Sequence, residues 1–261
     1  MNMFLGEGWQ VKPAGGATGE AYIAEQGEQR LFLKRNSSPF LAVLSAEGIV
    51  PKLLWTKRLE NGDVITAQRW VYGRELKAFE MKEPNVAHLL AKIHHSVELL
   101  DMFKRMGNDM LTPQRIIDDL KASMKRHECD DLLFQKGLKF LQTQQEAVNQ
   151  EQYVVCHCDI NHNNWMMSDA GELYLIDWDG ATVADPALDL GLLLYSYVPR
   201  HEWKTWLANY GLEMSDHLLL RMHWYVVSQT ISVMLSNMDR GKHAEAETWQ
   251  DFLKTLLDDS F

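Results

Sequence analysis

Short runs of alternating or β-branched character fill the first seventy positions, and longer runs with apolar residues three and four apart fill much of the rest. Residues 9–12, 21–24, 31–35 and 64–70 read as strands on that basis. Turn residues punctuate them: Gln26-Gly-Glu28 joins the second and third, and Asn61-Gly-Asp63 opens the last. Between the first two strands lies a glycine-rich turn, residues 13–20. Residues 38–45 predict a short helix with Pro39 near its start. After Gly73 the period changes. Residues 85–100 predict a helix with Val86, Leu89, Leu90, Ile93 and Val97 on one stripe. Thr112 followed by Pro113 is a helix start, leading into residues 114–126. A further helix covers 130–149, a short apolar strand 153–156, and four helical segments run from Leu188 onward.

No repeat, low-complexity tract or long linker interrupts this pattern. It predicts an α+β fold with a small β-rich lobe, residues 1–72, and a larger mainly helical lobe, residues 73–261, joined through residues 68–73. With 261 residues, 46% of them hydrophobic and 24% charged, the chain can bury a substantial core. Its formal net charge of −10 opposes non-specific binding to nucleic acid or to an anionic membrane. Three cysteines, Cys129, Cys156 and Cys158, are too few and too unevenly placed for a disulfide framework, which fits a reducing cytoplasm. The first residues carry no basic segment before an apolar one, so no signal peptide is expected. The most apolar window, residues 188–198, is broken by Asp189 and too short to cross a bilayer.

One segment carries chemistry. His157-Cys-Asp159 is followed by Asn164, then by two short apolar runs around the turn Asp169-Ala-Gly-Glu172, then by Asp177-Trp-Asp179. Residues 165–176 predict a β-hairpin, which returns the chain to where it began. Asp177 is thereby expected beside the loop that holds Asp159 and Asn164. Asp177 and Asn164 offer hard oxygens of the kind Mg²⁺ prefers. Asp159 is left to orient an incoming hydroxyl and take its proton. These are the parts that phosphoryl transfer needs. Ordinary turn chemistry is the competing account of Asp159, Asn164 and Asp177. The Cys-x-Cys spacing of Cys156 and Cys158 is not that of a zinc site.

His157-Cys-Asp159, Asn164, Ile176-Asp-Trp-Asp179 and the continuation Asp185-Pro-Ala-Leu-Asp189-Leu-Gly resemble the aminoglycoside phosphotransferase and choline kinase superfamily, a branch of the protein-kinase-like fold. Residues 32–40, 51–55, 161–165 and 174–179 further resemble the CcrZ family of bacterial cell cycle regulators. The resemblance implies ATP and Mg²⁺ as cofactors and ribose or 2-deoxyribose as acceptor. It also implies replication-initiation and division proteins as partners. Position by position, it makes Asp159 the base, with His157 beside it in the loop. Asn164 and Asp177 become metal ligands with Asp179 close by, and Lys34 the contact to the α- and β-phosphates. Gly15, Gly16, Thr18 and Gly19 become the loop over the phosphates, and Gln68 to Trp70 the segment that meets adenine through its backbone. Cys158 stands where that superfamily usually has glycine. No glutamate is placed to pair with Lys34, since Glu47, the one acid between Lys34 and Pro51, comes late.

Three readings of function follow. The first is a sugar kinase. The second keeps the chemistry but takes choline or an aminoglycoside. The third is a catalytically weak scaffold that retains the nucleotide pocket as a switch. Asp179, Asp185 and Glu202 are candidates for contact with the acceptor.

Overall fold

The computed structural model describes residues 5–15, 20–107, 109–127, 131–150 and 152–258. In chain order the strands are β1 (Gln10–Pro13), β2 (Ala21–Gln26), β3 (Gln29–Arg35), β4 (Leu53–Arg58), β5 (Val64–Arg69), β6 (Gly73–Glu75), β7 (Val154–Cys156), β8 (Trp165–Ser168), β9 (Leu173–Leu175) and β10 (Thr182–Ala184). The helices are α1 (Phe40–Ala46), α2 (Pro84–His94), α3 (Val97–Arg105), α4 (Pro113–Arg126), α5 (Leu132–Val148), α6 (Ala187–Tyr197), α7 (Trp203–Tyr210), α8 (Asp216–Asp239) and α9 (His243–Asp258).

Two compact units result. One comprises residues 1–77, 97–102 and 162–179, the other residues 78–96, 103–161 and 180–261. A boundary drawn along the sequence at residue 72 cannot express this, because β6 pairs with β8 far along the chain, Gly73 opposite Ser168. A methyl group at Gly73 would run into the carbonyl of Met167, so the pairing requires glycine there.

The first unit holds a five-stranded antiparallel sheet in the order β1-β2-β3-β5-β4. Alternation along β3 and β5 sends Leu33, Ile65 and Ala67 inward with Ala24, where Trp9, Val11, Tyr22, Leu31 and Trp55 close around them. Lys34 stands opposite Ala21 on β2 and Thr66 on β5 and so takes the other face. A second sheet, β6-β8-β9, contains the hairpin expected over residues 165–176. The amide of Leu175 donates to Ile49 O at 3.0 Å, tying that hairpin to the segment after α1.

The second unit is helical apart from the two-stranded β7–β10 pair. Its centre is α8, buried on most sides through Met222, Trp224, Val226, Val227 and Ile231. Gly191 of α6 faces Met222 O, where a Cβ would lie 2.7 Å away, so α6 and α8 approach closely only because that residue is glycine.

The structure departs from the periodic reading in several places, among them β4 (Leu53–Arg58), a strand that the pattern does not mark. Residues 85–100 form two helices rather than one. The ring of His95 turns back onto Ala91 O at 2.7 Å and Ser96 N closes on Ile93 O at 3.2 Å, which ends α2 before Val97 starts α3. Strands β6 and β10 span three residues each, too few to show a period. Among the described residues, no helix is long and apolar enough to cross a membrane.

Candidate active site

In the first unit the hairpin delivers what its turn sequence promises. Trp165 pairs with Leu175, and the amide of Ile176 donates to Asn164 O at 2.8 Å. Asn164 and Asp177 are therefore held at the foot of one ribbon. Asp177 has φ 64°, a left-handed conformation that Asp tolerates better than most residues. The next residue anchors the turn. Trp178 Nε1 donates to Leu175 O at 2.8 Å, and its ring meets Phe40 edge-on at 5.8 Å.

The partner of Lys34 is Asp179. Lys34 Nζ donates to both carboxylate oxygens, at 2.8 and 2.9 Å, and lies 3.7 Å from Asp177 Oδ1. No helix glutamate is needed to orient it. Glu47 instead occupies the C-terminal cap of α1. The side chains of Asp177 and Asp179 are 58% and 60% exposed, that of Lys34 only 23%. Two accessible carboxylates thus converge on one ammonium group. The donors here are all hard oxygens, and an ammonium already sits among them, so the set fits a small hard divalent cation such as Mg²⁺.

The remaining residues expected at a nucleotide divide differently. Gly15 has φ 86°, in keeping with a turn, whereas Gly16, Thr18 and Gly19 lie outside the described residues. Gln68 is buried in β5, between Phe32 of β3 and Leu53 of β4, and its side-chain amide donates to Pro51 O at 2.8 Å. Its side chain is thus committed inward. Trp70 follows the end of β5, half-buried, with the Arg30 guanidinium 6.0 Å from its ring centroid.

In the second unit, strand β7 leads directly into the loop of His157, Cys158 and Asp159. One buried acid holds that loop. Asp189, 0% exposed on α6, accepts from the His157 amide at 2.7 Å through Oδ2 and from the Cys158 amide at 2.9 Å through Oδ1. His94 Nε2 meets the same Oδ2 at 3.1 Å, and His94 Nδ1 meets the Tyr210 hydroxyl at 2.7 Å. Burial, first of all, raises the Tyr210 phenol far above its usual range, so the hydroxyl stays protonated. Every oxygen of Asp189 thus has a partner, as a carboxylate removed from water requires.

His157 is 0% exposed, and its Nδ1 accepts from the Asp159 amide at 3.3 Å. A ring with no surface to offer cannot meet substrate; it positions the backbone of Asp159. Asp159 itself is exposed. Cys158 adopts φ 67°, a left-handed conformation that glycine takes without strain. Burial pushes both the Cys156 and Cys158 thiols up, so neither is a thiolate at neutral pH. His94, Cys156 and Asp189 are close enough together to hold a metal ion, but all three are buried and already bonded: His94 to Tyr210 and Asp189, Cys156 to Asp185 O.

Two acids considered for the acceptor serve the scaffold. Asp185, 1% exposed, takes both Nε and Nη2 of Arg221 and caps the start of α6 through the Ala187 amide at 2.8 Å. Glu202 pairs with Lys82 at 3.2 Å. The roles of Asp189, His94, Tyr210 and Arg221 do not emerge from motif spacing. The one signal for Asp189 is an acid standing inside the most apolar run of the chain, which demands buried partners.

The phosphotransferase enzyme family model matches residues 10–219. Solved structures of similar fold include the choline kinase LicA from Streptococcus pneumoniae, 18% identical with a TM-score of 0.68 over 95% of this chain and 92% of that one. A choline/ethanolamine kinase family protein from Mesorhizobium loti is 15% identical with a TM-score of 0.71 over 99% and 92% of the two chains. Spectinomycin phosphotransferase, solved with ADP and spectinomycin, is 16% identical with a TM-score of 0.63 over 95% and 92%. The likeness in fold confirms an α+β, protein-kinase-like architecture with a β-rich N-terminal sheet and a helical C-terminal region. With its model spanning most of the described sequence, the chain belongs to the phosphotransferase enzyme family.

Proposed function

We propose that the protein transfers the γ-phosphoryl group of ATP, with Mg²⁺, to a hydroxyl of a small sugar, ribose or 2-deoxyribose. The observation that carries the phosphoryl-transfer reading is the group at the foot of the hairpin: Asn164, Asp177 and Asp179 gathered with Lys34 2.8 Å from Asp179. Asn164 and Asp177 would hold the metal. At that position the metal would supply positive charge against the phosphates. Lys34 is then free to turn from Asp179 toward the phosphates. Asp159, exposed on a loop whose backbone Asp189 fixes, would orient the acceptor hydroxyl and take its proton. His157 would act through the Asp159 amide it accepts.

The choice of a sugar rests on the resemblance of residues 32–40, 51–55, 161–165 and 174–179 to the cell cycle regulator family. The same resemblance supports a role beside replication-initiation and division proteins. Phosphate acceptance measured with ribose, 2-deoxyribose, choline and an aminoglycoside, each with MgATP, tests the substrate class. Ribose or deoxyribose should be turned over fastest. Faster turnover of choline or the aminoglycoside overturns the sugar assignment and leaves the transfer chemistry intact. The competing reading is a scaffold that keeps the nucleotide pocket as a switch. Should Asp159→Ala still complement a deletion and still capture its protein partners, the scaffold reading replaces the catalytic one.

A further inference from the structure

A concavity lies within the first unit, built from α1, the start of β4, the end of β5 and the β8–β9 hairpin. Its volume is about 540 Å³, within the range of small-molecule sites. Room for it comes from small residues, Ala42 and Ala46 on α1 and Gly48 after it, while Val50 and Leu53 supply apolar wall. None of these residues belongs to the group around Lys34 and Asp177.

The polar lining is unbalanced. Arg69 N donates to Lys52 O at 2.8 Å, so these two cations emerge from neighbouring backbone positions, and both residues line the cavity. Lys12, Arg30, Lys34 and Arg35 of the same unit each face a carboxylate. Among the described residues neither Lys52 nor Arg69 forms an ion pair with a carboxylate, and Arg69 lies near enough to Tyr174 for its charge to act on that hydroxyl. The acid in the lining, Glu172, accepts from the Tyr174 hydroxyl at 2.8 Å and is held there. Ser45 Oγ accepts from the Leu53 amide at 2.7 Å, which leaves its hydroxyl hydrogen to donate.

Two cations that form no ion pair line one cavity beside a single acid and leave it with a local positive excess, in a chain of net charge −10. A phosphate group supplies the missing negative charge. Arg69 can engage it through its planar fork, Lys52 as a point charge and Ser45 as a neutral donor. The apolar wall and the volume exceed what a bare anion fills. We propose that this cavity binds a small phosphomonoester, its phosphate on Lys52, Arg69 and Ser45 and its organic part against Val50 and Leu53. The proposal does not depend on the acceptor or even on catalysis, because its residues are separate from Asp159, Asn164 and Asp177.

Calorimetric titration of the full chain with phenyl phosphate, the nucleotide site filled with excess ADP, tests it. Saturable binding is expected, tighter than that of inorganic phosphate. The Lys52→Gln/Arg69→Gln variant should weaken it by about tenfold or more. Ala46→Leu, which adds bulk to the lining while keeping a good helix former, should weaken phenyl phosphate more than inorganic phosphate. Absence of saturable binding, equal affinity for the two probes, or unchanged binding in either variant overturns the proposal.

Discussion

Asp189 and Asp177 are the same residue type in opposite circumstances. Asp189 of the second unit is fully buried, with both oxygens spent on the His157 and Cys158 amides and on His94. Asp177 of the first unit is 58% exposed, and its nearest cation, Lys34, is 3.7 Å away and bonded more closely to Asp179. Burial decides the difference. A carboxylate taken out of water must have all its acceptor capacity met, and one so satisfied has none left for a substrate or a metal. Asp189 is spent on fixing a loop; Asp177 stays accessible.

That contrast is broken most severely at Asp189. Asp189→Ala leaves the buried His157 amide, the part-buried Cys158 amide and His94 without their acceptor, at a cost of about 3–5 kcal/mol in stability. Denaturant unfolding reads this directly, and a loss below about 1 kcal/mol would mean the clamp is dispensable. Asp185→Ala should be of similar size, because it strands the Arg221 guanidinium. Asp177→Asn should do the reverse. It preserves a side chain that tolerates φ 64°, shifts stability by no more than about 0.5 kcal/mol, and lowers phosphoryl transfer by orders of magnitude at fixed Mg²⁺. Recovery of the rate at high Mg²⁺ would sharpen the assignment to metal binding.

Smaller effects refine it. Cys158→Gly relaxes a left-handed residue and should raise stability by up to about 1 kcal/mol without loss of transfer, seen as a higher melting temperature. Asp63 contributes a pH dependence to the first unit. Hydrogen bonds from Asn36 and then Arg35 hold its carboxyl below the usual range. Its stabilising contribution is therefore complete above the unfolded value of about 3.9 and is lost as pH falls through the lowered folded value. Asp63→Asn should lose stability at neutral pH, and its unfolding midpoint should converge with that of the parent at strongly acidic pH.

What the sequence made legible was local. The hairpin, and with it the meeting of Asn164 and Asp177, follows from two apolar runs and an Asp-Ala-Gly-Glu turn. The Thr112-Pro113 start of α4 is a single capping event, and the structure shows Thr112 accepting from the Arg115 amide at 3.3 Å. What stayed hidden was non-local. Lys34 and Asp179 are 145 positions apart, and no period links them. Asp189 reaches back 32 positions to His157 and 95 to His94. The break between α2 and α3 depends on a side-chain bond of His95, which a hydrophobic stripe does not register.

The most direct test is the rate of ATP consumption by purified Asp159→Ala in the presence of ribose and Mg²⁺. Asp159 is exposed, so the variant should melt at the parent temperature while its rate drops by about 10²–10⁴-fold. A variant that consumes ATP as fast as the parent under those conditions contradicts the assignment of Asp159 as the base.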